Sequence, residues 1–239
     1  MKKSYYFPPC GFGFWYQLGV FDQIKNDDNI LYGSSAGSLI CLISLLKDED
    51  YDLLNLINLA KQVKDNNSFN LYKYTNQFVS EIIKIISSYD DDYINKKLDN
   101  INIEITLIKF YIIPYFQSVY VKPKDLNHLK NLIIASCYVP FISYHENLFY
   151  YKYENMYIID GFFGKFSNVD PKIKKINSYH QATIIPGNEK DVISKYSKGV
   201  NYDFNQSNKR FSIYSLFLII INIFVDFIKF LVNDFVSLL

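Results

Sequence analysis

The chain has 239 residues, 25 Lys+Arg against 24 Asp+Glu, and a net charge of +1. That balance, together with a single arginine at Arg210, excludes a nucleic-acid-binding protein, because phosphate backbones are held by a surplus of cations and by forked guanidinium contacts. Hydrophobic residues make up 49% and aromatics 18%, so the chain can build a sizeable core and is not intrinsically disordered.

In chain order, Ser4–Phe7 reads as a short strand, Pro8 to Gly13 as a glycine-bearing loop, and Phe14–Ile24 as a helix. Residues 26–29 form a polar turn, and 30–32 are a second apolar strand. Gly33-Ser34-Ser35-Ala36-Gly37 follows, and then Leu39, Ile40, Ile43 and Leu46 recur at helical spacing. Strand, glycine loop, helix, strand, glycine turn, helix is the order of a parallel α/β layer. Residues 52–64 and 75–88 are predicted helices. Asp90-Asp91-Asp92 is a solvated helix start, its carboxylates at the positive end of the dipole. Strands are predicted over 101–108 and 116–121, then a helix over 125–137 that Pro140 ends. Residues 149–153 and Met156–Ile159 form a hairpin around Glu154-Asn155, and the second strand runs directly into Asp160-Gly161. A last strand is expected over 183–185.

Residues 188–210 are polar and are expected to be a linker. Beyond it, 211–239 is rich in Phe, Ile, Leu and Val. Ser212, Ser215, Asn222, Asp226, Lys229, Asn233 and Ser237 recur every three or four residues as a narrow polar stripe. The uncharged run over 211–225 is shorter than the roughly 20 residues of a spanning helix. An amphipathic helix lying on a membrane or lipid-droplet surface is therefore expected, with Lys209 and Arg210 at headgroup level. Packing in the core, an oligomer contact and a spanning anchor are the alternatives. Pro8-Pro9 interrupts any apolar signal region. Cys10, Cys41 and Cys137 are too scattered for a disulfide framework or a zinc site. Both features point to an intracellular, cytoplasmic protein without a signal peptide, and the 211–239 segment adds peripheral membrane association.

Three segments carry chemistry. Gly33-Ser34-Ser35-Ala36-Gly37 fits G-x-S-x-G, a sharp strand-to-helix turn in which the flanking glycines remove colliding side chains and Ser35 projects its hydroxyl. The helix behind it aims its N-terminus, with the Ala36 N–H, at a developing oxyanion. Gly11-Phe12-Gly13 can aim consecutive backbone N–H groups into a cleft, and it fits neither G-x-G-x-x-G nor a P-loop. Asp160-Gly161, at a strand end, offers a carboxylate able to take a proton from Ser35 and return it to a leaving group.

In these segments the chain resembles the patatin-like phospholipase family, acyl hydrolases with a Ser–Asp dyad and no catalytic histidine. Cys10-Gly11-Phe12-Gly13 with Tyr16 and Gly19-Val20 is similar to the family's oxyanion loop and first helix. Gly33 to Leu39 is similar to its nucleophile elbow. Ala135-Ser136-Cys137-Tyr138-Val139-Pro140 and Ile159-Asp160-Gly161 are similar to its helix-end segment and Asp-Gly motif. The resemblance spans residues 4–187. It implies a three-layer α/β/α domain over residues 1–187 with a mostly parallel sheet, followed by the linker and the C-terminal helix. It also implies Ser35 as nucleophile and Asp160 as general base. Gly11, Phe12, Gly13 and Ala36 would be oxyanion donors, and Gly33, Gly37 and Gly161 would support the turns. The substrate would be a phospholipid or acylglycerol ester, with no metal or cofactor.

Two departures stand out. The glycine loop lacks a full glycine run and a following arginine, and Asp160-Gly161 is followed by the bulky Phe162. A lipid-binding relative without hydrolytic activity is one alternative they leave open. Another is an α/β-hydrolase triad, since Ser35, Asp160 and His180 occur in the required order.

Overall fold

The computed structural model describes residues 2–66, 70–109, 115–143, 145, 147, 149–163, 172–178, 181 and 187–204. Strand β1 (Ser4–Phe7) leads through the glycine loop to helix α1 (Phe14–Ile24), and β2 (Ile30–Ser34) leads to α2 (Ala36–Ile43). Every residue of α2 is buried, which suits its almost wholly apolar sequence.

Helices α3 (Leu53–Asn66), α4 (Leu71–Ile86) and α5 (Asp91–Leu98) follow. Asn70 starts α4 four residues earlier than the apolar spacing predicts, because its side chain accepts the N–H groups of Tyr72 and Lys73. Asp90 caps α5 in the same way, accepting from Asp92 and Tyr93, so the acidic run is a helix start. Then come β3 (Ile101–Lys109), β4 (Tyr115–Val121), α6 (Leu126–Ser136), and the hairpin of β5 (Tyr151–Tyr153) and β6 (Met156–Ile159). A 3-10 turn over Gly161–Phe163, β7 (Lys174–Lys175) and α7 (Glu189–Val200) complete the described elements.

The strands form one sheet in the order β5-β6-β3-β2-β1-β7, with β4 also paired to β3. The fold is α/β, but the sheet is mixed, which corrects the expectation of a mostly parallel one. β1 pairs in parallel with β2 and β7, and β2 with β3, whereas the pairs β3–β4, β3–β6 and β5–β6 are antiparallel. For β3–β4 and β5–β6 the physical reason is connection length. Only residues 110–114 separate β3 from β4 and two residues separate β5 from β6, too short for the crossover that parallel strands require.

The core lies where α1, α2, α4 and α6 meet the apolar positions of the sheet, among them Phe7, Leu31, Ile103 and Ile105. Residues 189–200, read from sequence as part of a linker, are instead helix α7 packed along α1. Gly19 and Gly199 let the two backbones touch. A Cβ on Gly199 would lie 2.0 Å from the Tyr16 carbonyl oxygen. Gln23 Nε2 donates to the Gly199 carbonyl at 2.8 Å, and Tyr51 and Tyr196 both donate to Asp22. The polarity that suggested a linker belongs to the exposed side of an amphipathic helix. Among the described residues no helix is long and apolar enough to cross a membrane. The strand expected over 183–185, His180 and the 211–239 helix lie outside the described residues.

Candidate active site

One strand junction builds the site. Along β3, residues 103–109 pair with β4, while on the opposite edge Leu31 to Ser34 pair with Ile101 to Glu104 and Ile158 and Ile159 pair with Leu107 and Thr106. β2 runs parallel to β3 and β6 runs antiparallel. The two strands therefore share one edge of β3 and point at each other, tip to tip, across Ile105. The residue that follows each tip is Ser35 on one side and Asp160 on the other. Ser35 Oγ donates to Asp160 Oδ2 at 2.6 Å across the junction.

The local backbone explains why Ser35 is held there. β2 ends at Ser34 and α2 begins at Ala36, so one residue makes the turn, with φ 51° and ψ −127°. A side-chain-bearing residue with such a φ is strained by roughly 1–3 kcal/mol. This is the corner that lifts a hydroxyl off the sheet. Gly33 and Gly37 allow the turn to close. A Cβ on Gly33 would sit 2.5 Å from the Gly37 carbonyl oxygen, and one on Gly37 would sit 2.0 Å from that of Phe7. Ser38 Oγ donates back to the Ser35 carbonyl at 2.5 Å, which locks the first turn of α2.

The end of α6 clamps both halves. Ser136 Oγ accepts the Ser35 N–H at 2.8 Å and donates to the Glu104 carbonyl oxygen at 2.6 Å. Two residues on, the Tyr138 carbonyl accepts the Asp160 N–H at 2.8 Å. Phe162 N–H donates to Asp160 Oδ1 at 2.7 Å, so both carboxylate oxygens are engaged. The bulk of Phe162 is turned against Phe163, with ring centroids 5.6 Å apart.

Ser35 is 7% exposed and Asp160 1%. Burial pushes the Asp160 carboxyl up to about 7; the Ser35 hydroxyl and the Phe162 N–H oppose that shift, and Glu104 adds to it. The neighbouring thiols Cys10 and Cys137 are also pushed up by burial, so they are neutral and poor nucleophiles at physiological pH.

The glycine loop is only partly open to a ligand. Gly11 takes φ 53°, and the Gly13 N–H is engaged by the Cys10 carbonyl at 2.9 Å. Phe12 N–H has no backbone acceptor among the described residues. Ala36 heads α2, so its N–H has no acceptor within the helix. Of the four donors expected from sequence, Gly11, Phe12, Gly13 and Ala36, the Gly13 N–H is the one that these bonds engage.

Of the aromatic residues near the motifs, Phe14 and Trp15 are core residues at 4% exposure, whereas Phe12 and Phe162 are half-buried and Phe141 and Phe163 are exposed. His128 and His145 lie against Tyr153 and Tyr72, with ring centroids 6.1 and 4.6 Å apart. Among the described residues no cluster of His, Cys, Asp and Glu is able to hold a metal ion.

Sequence reading identified Ser35, Asp160 and the turn glycines. It did not single out Ser136, whose clamp joins residues 101 apart in sequence, or Glu104 beneath the junction. Ser136 sits in the helix-end segment, where a small hydroxyl residue carries no local sign of its partner.

Neither the protein-family models nor the curated proteins contain a match to the chain. A hydroxyl bonded to a buried carboxyl that titrates near neutrality, at the start of a buried helix, has the chemistry for proton transfer from the hydroxyl to the carboxylate.

Proposed function

We propose that the protein is a lipid acyl hydrolase that cleaves carboxylic esters of phospholipids or acylglycerols through a Ser35–Asp160 dyad. We also propose that its domain is a patatin-like three-layer α/β/α fold. The observation that carries this reading is the direct 2.6 Å hydrogen bond from Ser35 Oγ to Asp160 Oδ2, made from a strained single-residue elbow. That contact leaves no space for an imidazole between them, which favours the dyad over a triad using His180.

In the reaction, Asp160 takes the Ser35 proton as Oγ attacks the ester carbonyl, forming a tetrahedral oxyanion. The Ala36 N–H, the positive end of α2 and the Phe12 N–H face that charge. Collapse expels the alcohol, which receives the proton from Asp160, and leaves an acyl ester on Ser35. Asp160 then takes a proton from water as it attacks. The second collapse releases the carboxylic acid and returns the proton to Ser35. A base that titrates near 7 matches the requirement that it be ionised before attack and able to give the proton back afterwards. The C-terminal segment 211–239 would hold the enzyme at a membrane or lipid-droplet surface as an amphipathic helix.

A fluorophosphonate probe tests the reading. Folded wild-type protein is expected to be labelled, Ser35→Ala not at all, and Asp160→Ala at least about a hundredfold more slowly. Equal labelling of Ser35→Ala, or none of the wild type, overturns it.

A further inference from the structure

Directly beneath the dyad the sheet carries a second buried carboxylate that the proposed reaction does not use. Glu104 is 2% exposed and pairs with Ser34 on one side and Tyr120 on the other. Its carbonyl oxygen accepts Ser136 Oγ, which in turn holds the Ser35 N–H. A Cβ on Gly161 would lie 3.6 Å from that carbonyl oxygen. The backbone of Glu104 is thus the base on which both halves of the dyad rest.

Its side chain lies on the sheet face opposite Ile103 and Ile105, by strand alternation. There Tyr6 Oη donates to Glu104 Oε2 at 2.5 Å. That bond fixes the Glu104 carboxyl group on the face of the sheet away from the dyad. Around it stand Tyr6 and Tyr32 of β1 and β2, Tyr120 of β4 and Lys175 of β7, with Lys175 Nζ 5.6 Å from the centre of the Tyr6 ring. Ser34 Oγ and Thr106 Oγ1, buried on the same face, have no hydrogen-bond partner among the described residues. Among the described residues, the titratable and hydroxyl groups that act on Asp160 are Ser35, Cys10, Cys137 and Glu104. Of these, Glu104 carries the other carboxyl group.

We propose that Glu104 is a positioning residue for the dyad: Tyr6 Oη holds its carboxylate on the reverse face of the strand junction, and its negative charge there makes Asp160 a stronger proton acceptor. In a water-poor interior two carboxylates on either side of one strand repel through a low dielectric, so the proton taken from Ser35 is held more tightly. The inference rests on the dyad reading above and gives that site its second carboxylate.

Two measurements test it, one of them independent of turnover. Glu104→Gln keeps an oxygen to accept from Tyr6 Oη but removes the charge. The acidic limb of its kcat/KM profile is expected to move down by about half a pH unit or more, so that activity at pH 5.5, relative to its own plateau, rises about threefold. Tyr6→Phe, which removes the donor, is expected to move the limb the same way by less. The second measurement is unfolding in a Ser35→Ala background, with and without Asp160→Asn, across pH 4–9. The part of the pH dependence that belongs to Asp160 is expected to shift to lower pH when Glu104→Gln is added. An unmoved limb in both variants, or an unmoved unfolding shift, overturns the inference. An unfolding shift in a protein without esterase activity upholds the coupling and overturns the hydrolase reading instead.

Discussion

Gly161 lies against Ser34 so closely that a Cβ at position 161 would sit 1.9 Å from Ser34 Oγ. The two residues flank the point where β2 and β6 meet on one edge of β3, one step from Ser35 and from Asp160. The spacing of the dyad is set by this contact, because nothing thicker than a glycine fits between the strand tips.

Gly161→Ala is therefore expected to push Asp160 away from Ser35. Overpacking of this kind costs about 1–3 kcal/mol, and a displacement of the base should lower kcat at least about tenfold. Ser34→Ala alone should be nearly neutral, since the Ser34 hydroxyl is buried without a partner among the described residues. The double variant should recover part of both losses. A thermal-melt and esterase cycle over the four proteins checks this, and strict additivity contradicts it.

Ser136→Ala removes the bridge between the Ser35 N–H and the Glu104 carbonyl. Leaving two buried backbone groups unpaired costs about 1–3 kcal/mol. The elbow loses its clamp while the substrate-facing groups remain, so kcat should fall by about tenfold or more and KM by much less. Steady-state kinetics on a soluble ester distinguishes the two constants.

Esterase activity should rise with pH through about 7 and then level off, because Asp160, raised to about 7 by burial, must be ionised to act as base. Stability runs the other way. The carboxyl titrates higher in the folded chain than its ordinary value of 3.8, so the folded state binds the extra proton. The stability this contributes is fully present below about pH 4 and is lost as pH rises through about 7. Asp160→Asn should flatten that fall. Denaturant unfolding at pH 5 and pH 8 measures it, and an identical difference between the two pH values in both proteins contradicts it.

Gly199→Ala places a Cβ 2.0 Å from the Tyr16 carbonyl oxygen and must part α7 from α1. The melting temperature should fall by several degrees, in line with a cost of about 1–3 kcal/mol. Activity per folded molecule should hold at low temperature, because the dyad does not touch this contact. A variant as stable as the wild type would mean that α7 is a loosely attached appendage.

The elements that read clearly from sequence are those whose signal is local. β1, α1, α6 and the β5–β6 turn follow from apolar spacing and turn residues. The G-x-S-x-G turn foretells its own geometry because Gly33 acts on Gly37 within the same five residues, although Gly37 itself makes room for the distant Phe7 carbonyl. Helix α7 did not read as packed structure, because its close approach to α1 turns on Gly199 and Gly19, and a glycine in a polar stretch looks like a linker until its partner is in view. Glu104 and Thr106 were equally hidden. In Ile101–Lys109 they occupy the alternating polar positions of a half-exposed strand, yet the fold buries them at 2% and 0%.

By itself, the sequence determined which residues have the chemistry of a site: a hydroxyl on a glycine-flanked turn, an aspartate at a strand end, and a loop of backbone donors. Periodicity and turn stereochemistry are short-range effects, so they can be written in a few adjacent residues. Only the tertiary structure decided that Ser35 and Asp160, 125 residues apart, touch. It also decided that burial brings Asp160 near neutrality, and that Ser136 and Glu104 support the pair. Those outcomes depend on two strands meeting on one edge of β3 and on how much water the surrounding fold excludes. Distance and dielectric of that kind exist only once the chain has closed on itself.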